Sequence, residues 1–277
     1  MPLIDELLSF GCLKRSIWKL WYPYLTRRLR ADDVLFLNYA FEDVPPQSLE
    51  LSPEDEPNRG CIQLYHHVAT QVDLAGKHVL EVSCGHGGGA SYLTRTLYPG
   101  SYTGLDLNPA AIAFCRERYR MEGLTFVQGD AEMLPFGDQT FDAVINVEAS
   151  HCYPSLPKFL GEVERVLRPR GHLLYADFRF PLGLAEWEAS FAAGPLRQRS
   201  MRQISKAVLR GMKLNSSRST QLIERHLPGF LHSLGRDFAG VEGSRVYAAM
   251  RDGRLSYRSY WFEKPANPTQ ENGRFRA

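Results

Sequence analysis

His151, Asp177 and Glu148 are the residues of this 277-residue chain whose types and placement suit acid–base work. His151 follows the apolar run Phe141–Val147 within Glu148-Ala149-Ser150-His151, and Asp177 closes a second apolar run, His172-Leu173-Leu174-Tyr175-Ala176. An imidazole with a reference pKa of about 6.5 accepts a proton near neutral pH. An alcohol is a poor nucleophile until its proton is removed, so a positioned base at a strand end suits attack by a hydroxyl oxygen. The expectation is that His151 is the base and that Asp177 or Glu148 assists it. The plainer alternative is that both His151 and Asp177 cap strand-to-helix turns.

The electrophile is indicated by a second constellation. Lys77 to Gly89 reads KHVLEVSCGHGGG: a short strand reaches Glu81 and breaks into a turn rich in glycine at Gly85, Gly87, Gly88 and Gly89. Such a turn brings backbone close to a ligand. Asp106 ends the next apolar run 21 residues beyond Gly85, a distance suited to a carboxylate that accepts from ribose hydroxyls. Asp130 ends the following run and, with Ala131, is placed to accept from an adenine amine between Leu107 and Met133. Glu81 can meet an ammonium, and Ser83, Asn146 and Tyr65 complete the expected cofactor set. Either aspartate alone also suits a turn or N-cap. In order, the four elements point to S-adenosylmethionine, with S-adenosylhomocysteine as product. A nicotinamide dinucleotide has no use for Asp130 and the Leu-Pro-Phe that follows it.

These residues need strands to carry them. From 77 to about 182, strand and helix patterns alternate, which implies a parallel sheet with helices on both faces and a cofactor-binding core. Residues 1–76 read as an N-terminal helical extension, with helical spacing from Ile62 to Val72. Segment 183–236 reads as a helical lid over the acceptor. Residues 237–265 read as C-terminal strands, around Phe238–Val241 and Leu255–Phe262, and 266–277 as a disordered tail. Strand carboxyl ends gather ligands in open α/β sheets, so Gly85, Asp106, Asp130, His151 and Asp177 belong on one rim.

Composition narrows the partners. The formal charge is +2, which makes no global case for nucleic acid. The five cysteines, at 12, 61, 84, 115 and 152, include no CxxC pair, and an odd number fits a reducing cytoplasm better than a disulfide framework. The first residues do not read as a signal peptide, and no apolar run reaches the roughly 20 residues of a membrane span. Residues 12–30 interleave six cations with Trp18, Trp21, Tyr22 and Tyr24 and contain no acid, a pattern suited to peripheral membrane contact or to a lipid-binding mouth. Arg197 to Arg218, with seven cations and no acid, reads as an acceptor wall or an anion-binding surface. No metal site is expected, although His151, Asp177 and Glu148 are the residues that would form one.

Residues 77–177 resemble the class I S-adenosylmethionine-dependent methyltransferases through the glycine turn, LDLNP, GDAEMLPF, FDAVINVEASHCY and FLGEVERVLRPRGHLLYAD. That resemblance implies an α/β, Rossmann-like seven-stranded sheet whose last strand is antiparallel. Ser83 departs from the family pattern, which usually has glycine there. A closer resemblance, through WYPYLTR, DEPNR, LYHHVATQVDL, EVSCGHGGGASYLTRTL, NVEASHCYP and RHLPGFL, is to the mycobacterial lipid O-methyltransferases acting on phthiotriol and phenolphthiotriol dimycocerosates. It implies methylation of a hydroxyl on a lipid or glycolipid in cell-envelope biosynthesis. The similar saccharide O-methyltransferases, some with a histidine and an aspartate at these two strand ends, imply a mannoside or rhamnoside acceptor instead. A non-catalytic cofactor-binding scaffold is the third reading.

Overall fold

The computed structural model describes Thr26 and residues 34–46 and 48–266. Its centre is a seven-stranded sheet in the order β3-β2-β1-β4-β5-β7-β6. The strands are β1 (His78–Val82), β2 (Ser101–Asp106), β3 (Leu124–Gln128), β4 (Phe141–Val147), β5 (Leu167–Arg179), β6 (Arg197–Gln203) and β7 (Ser256–Glu263). The first five are parallel, and β7 runs antiparallel between β5 and β6.

The central strands are buried on both faces, so they read as continuous apolar runs rather than as alternating ones. Successive side chains still point to opposite faces. Val79, Ile145, Leu174 and Tyr257 pack with helices α1 (Arg59–Ala69), α2 (Gly88–Leu97) and α3 (Pro109–Arg118). Leu80, Val144, Leu173 and Tyr260 face α4 (Leu156–Val166) and α5 (Pro181–Ala192). Three helices, α6 (Ser205–His226), α7 (His232–Phe238) and α8 (Arg245–Arg251), follow β6.

Two expectations change. Segment 183–236 is not helical throughout, because β6 interrupts it between α5 and α6. Its sequence, RQRSMRQ, shows no apolar alternation because it is an edge strand exposed along nearly its whole length, and charges on such an edge discourage pairing with other chains. Phe238–Val241 is not a strand: Phe238 ends α7, and Val241 joins Ile223 and Leu227 in a small separate cluster. The sheet therefore has one strand, β7, after residue 237.

The basic stretch from Arg197 is also less available than its composition implies. Arg199 pairs with Glu263, Arg202 with Asp43 and Lys213 with Glu242, while Arg210 donates to the Glu42 carbonyl. Apart from Thr26, the basic aromatic segment 12–30 lies outside the described residues, as do residues 267–277. Among the described residues no helix is long and apolar enough to cross a membrane.

Candidate active site

Parallel pairing puts the carboxyl ends of β1, β2, β3, β4 and β5 on one rim. At the end of β1 the chain turns through Ser83 (φ 64°), Gly85 (φ 54°) and Gly87 (φ 75°) into α2. Gly89 has to be glycine, since a Cβ there would lie 2.1 Å from the Tyr65 ring. Tyr65 projects from α1 against this glycine, and its hydroxyl donates to Glu81 Oε1 at 2.9 Å. Tyr102 donates to Glu81 Oε2 at 2.8 Å. Glu81 is thus 1% exposed with a tyrosine on each oxygen, and burial raises its pKa to about 7 against those two bonds.

Asp106, at the end of β2, ties the turn to the next strand. Its Oδ2 accepts from Gly85 N at 2.9 Å and its Oδ1 from Asn108 N at 2.8 Å. Burial raises its pKa to about 6, opposed by backbone N–H bonds. Asp130 Oδ1 accepts from Glu132 N at 3.0 Å, and Ala131 beside it is buried. Leu107 and Met133, the residues expected to flank an adenine, are exposed, Met133 to 74%.

Both ring nitrogens of the buried His86 have partners. Its Nδ1 is 2.6 Å from the Val34 carbonyl and its Nε2 2.9 Å from Thr26 Oγ1. The segment from Val34 then crosses the rim: Leu35 O accepts from Gly88 N at 3.2 Å, and Tyr39 N donates to Glu148 Oε2 at 2.9 Å.

The ends of β4 and β5 emerge side by side, because Val147 pairs with Ala176 and Glu148 N extends the ladder to Ala176 O at 2.7 Å. This register brings His151 onto Asp177. The carboxylate accepts from His151 Nδ1 at 2.9 Å and from the His151 backbone N–H at 2.8 Å. Ser150 Oγ donates to it at 2.7 Å, Phe178 N donates at 2.8 Å, and Arg179 Nη1 stands 3.1 Å away. Burial works against the Asp177 charge, but His151 and Arg179 outweigh it and hold the pKa well below the ordinary carboxylate range. For His151, burial opposes the charge while Cys152 and Asp177 outweigh it and raise the pKa. The imidazole stacks on Phe178, with ring centroids 4.4 Å apart. Nδ1 is on the carboxylate, and Cys152 also lies within hydrogen-bond reach of the imidazole.

Glu148 has a different environment. It sits at φ 52° and its Oε2 accepts from Tyr39 N and, at 2.8 Å, from Tyr257 O–H. Burial raises its pKa to about 8, opposed by those two bonds. Of the two carboxylates expected beside His151, the structure brings Asp177 into contact and turns Glu148 to Tyr39 and Tyr257. Among the described residues no group of three His, Cys, Asp or Glu side chains is arranged to hold a metal ion.

Several supporting residues were not singled out from the sequence. Ser150 and Tyr153 lie inside the EASHCYP stretch, where a hydroxyl beside each end of the motif was the available signal. Arg179 donates to Ser150 Oγ at 2.8 Å and lies 4.8 Å over the Trp187 ring. Nothing local marks Arg179 or Tyr257, whose roles depend on how β5 and β7 pair.

Comparison with known proteins agrees with this arrangement. A family model described as a methyltransferase domain matches residues 80–175. The chain is 58% identical over 250 residues to the phthiotriol/phenolphthiotriol dimycocerosates methyltransferase of Mycobacterium tuberculosis, covering 90% of this chain and 93% of that one. It is 51% identical over 248 residues to the fatty-acid O-methyltransferase of Mycolicibacterium smegmatis, covering 90% of each. Among solved structures, a geranyl diphosphate C-methyltransferase from Streptomyces coelicolor A3(2), in complex with Mg2+, geranyl diphosphate and S-adenosylhomocysteine, matches with TM-score 0.66 and 15% identity over 91% of this chain and 97% of that one. The cyclase SpnF matches with TM-score 0.65 and 20% identity over 90% and 95%. At these identities the two structures establish the fold alone.

Proposed function

The chain belongs to the family of the phthiotriol/phenolphthiotriol dimycocerosates methyltransferases, S-adenosylmethionine-dependent enzymes, and from that membership we propose that it transfers a methyl group to a hydroxyl of a long-chain lipid. The observation that carries the oxygen chemistry is the His151–Asp177 pair at the ends of β4 and β5, 2.9 Å apart. The lipid class rests on the names of the two relatives, one given for phthiotriol and phenolphthiotriol dimycocerosates and the other for fatty acids.

The residues present fit the cofactor. Asp106 keeps lone pairs for ribose hydroxyls after meeting Gly85 and Asn108, Asp130 and Ala131 would meet the adenine, and Leu107 and Met133 would offer apolar faces to its ring. Ser83, Gly85, Gly87 and Asn146 surround the turn that meets the amino-acid part. Tyr65, bonded to Glu81, packs against Gly89 of that turn. Bound S-adenosylmethionine supplies the methyl group from its sulfonium.

His151 Nε2 would take the proton of the acceptor hydroxyl as that oxygen receives the methyl group. Asp177 holds the ring with its Nδ1 hydrogen on the carboxylate and stabilises the imidazolium that results. Glu148 anchors the Val34–Tyr39 segment at the mouth of the site.

The test is to incubate the protein with methyl-labelled S-adenosylmethionine and fractionated envelope lipids and short saccharides. Label in a lipid fraction, lost in the His151→Ala variant, is the expected result. Label in saccharides alone would overturn the lipid assignment.

A further inference from the structure

Asp177 is 0% exposed, and two basic side chains reach it on different oxygens. His151 Nδ1 lies 2.9 Å from Oδ1, and Arg179 Nη1 lies 3.1 Å from Oδ2. The two are not equivalent. A guanidinium keeps its charge at every working pH, whereas an imidazole gains and loses a proton. A base must be neutral before it can accept one. If His151 were the sole counter-ion of Asp177, each neutral imidazole would leave an unpaired charge in the interior, which is strongly unfavourable.

Arg179 is built into its place from three sides. Nη1 also donates to the Phe178 carbonyl at 2.7 Å, and Nη2 donates to Ser150 Oγ at 2.8 Å. The guanidinium lies 4.8 Å over the ring of Trp187, a buried residue of α5 whose indole N–H donates to the Tyr175 hydroxyl oxygen at 3.0 Å. Arg258, 5.7 Å from the centre of the same ring, is matched by Glu188 at 2.6 Å.

The other titratable groups around the pair bring no positive charge to it. Glu148, at the end of β4, has its pKa raised to about 8 by burial and is mainly neutral near pH 7. Tyr39 from the crossing segment, Tyr153 after β4, Tyr175 on β5 and Tyr257 on β7 are phenols that burial holds above their ordinary range. Cys152, within reach of the imidazole, can carry only negative charge. Resting on His151 as the base, we propose that Arg179 is a positioning residue that pairs permanently with Asp177, so that the imidazole can stand neutral and receive the acceptor's proton without leaving a buried carboxylate unpaired.

The experiment follows the His151 ring by NMR titration of the full chain, its resonance identified by its loss in His151→Ala. Arg179→Gln keeps a donor for Ser150 and loses the charge, while Arg179→Lys keeps the charge. The His151 midpoint is expected to rise by about one pH unit or more in Arg179→Gln and to stay within about half a unit in Arg179→Lys. Methyl transfer at pH 7, on the rising limb of its profile, should then fall about tenfold or more in Arg179→Gln, because one pH unit is tenfold in neutral imidazole. That deficit should shrink as the pH is raised, and S-adenosylhomocysteine binding should change little.

An unmoved or lowered midpoint in Arg179→Gln would overturn the proposal. So would an equal loss of turnover at every pH, which marks a scaffold role. If Arg179→Gln does not fold, Asp177→Asn is added to it: recovery of the fold supports the pairing, and a double variant that also fails to fold overturns it. Full turnover in His151→Ala would remove the base reading instead, and the titration, made without substrate, tells that failure apart from this one.

Discussion

Asp177 holds His151 twice, through ring Nδ1 at 2.9 Å and through the backbone N–H at 2.8 Å, so one carboxylate fixes both the imidazole and the chain that carries it. Asp177→Asn keeps the shape but places an NH2 group where at least one of these donors must be met. Its turnover is expected to fall by about 10²-fold or more, and that of His151→Ala by ~10²–10⁴-fold. S-adenosylhomocysteine binding, measured separately, should change little in either. Full turnover by His151→Ala would remove the base assignment.

The raised His151 pKa gives the pH dependence its sign. Asp177 and Cys152 favour the imidazolium against burial, so at neutral pH much of the base is protonated. Methyl transfer should therefore climb with pH through an inflection above the ordinary histidine value of about 6.5. In Asp177→Asn the inflection should move down. The stability that protonated His151 contributes is fully present below about pH 6.5 and is lost as pH rises through the folded-state pKa. The urea-denaturation gap between wild type and His151→Ala should narrow accordingly as the solution is made alkaline.

Glu148 provides the contrast. With its pKa raised to about 8, chiefly by burial, its carboxyl is mainly neutral at pH 7 and accepts from Tyr39 N and Tyr257 O–H. Glu148→Gln preserves an acceptor for both donors, so turnover near pH 7 should stay within about threefold, less than ~1 kcal/mol in the barrier. Glu148→Ala leaves both donors without their acceptor and should cost about 1–3 kcal/mol in stability. A glutamine variant as slow as His151→Ala would identify Glu148 as the partner that matters.

Two glycines should respond in opposite directions. Gly89→Ala drives a methyl into the Tyr65 ring and, through it, disturbs Glu81; about 1–3 kcal/mol of stability should be lost, with weaker cofactor binding. Gly161 lies within α4, and a Cβ there would meet nothing within 4 Å. Gly161→Ala should raise stability by about 0.5–1 kcal/mol through helix propensity. Thermal melting of the two variants side by side checks both.

Where the sequence was legible, the physical signal was local. Glu81, Gly85, Asp106 and Asp130 end or follow short apolar runs, and the rule that ligands gather at strand carboxyl ends locates them on one rim without further information. β6 was illegible because an exposed edge strand has no buried face to impose alternation on Arg197–Gln203. Phe238–Val241 misled for the reverse reason: its apolar residues serve a small helical cluster with Ile223 and Leu227 rather than the sheet.

The amino-acid order by itself determined the alternation of strand and helix, the turn that only small residues can make between β1 and α2, and the acids and histidine that terminate the strands. Each depends on neighbours along the chain. Tertiary structure alone decided which carboxylate meets His151, since that follows from the β4–β5 register that aligns Val147 with Ala176. It also decided that Glu81 is taken up by Tyr65 and Tyr102 while Asn146 keeps a buried oxygen without a partner among the described residues. Hydrogen-bond partners distant in sequence are chosen by packing, and packing is a property of the assembled layers.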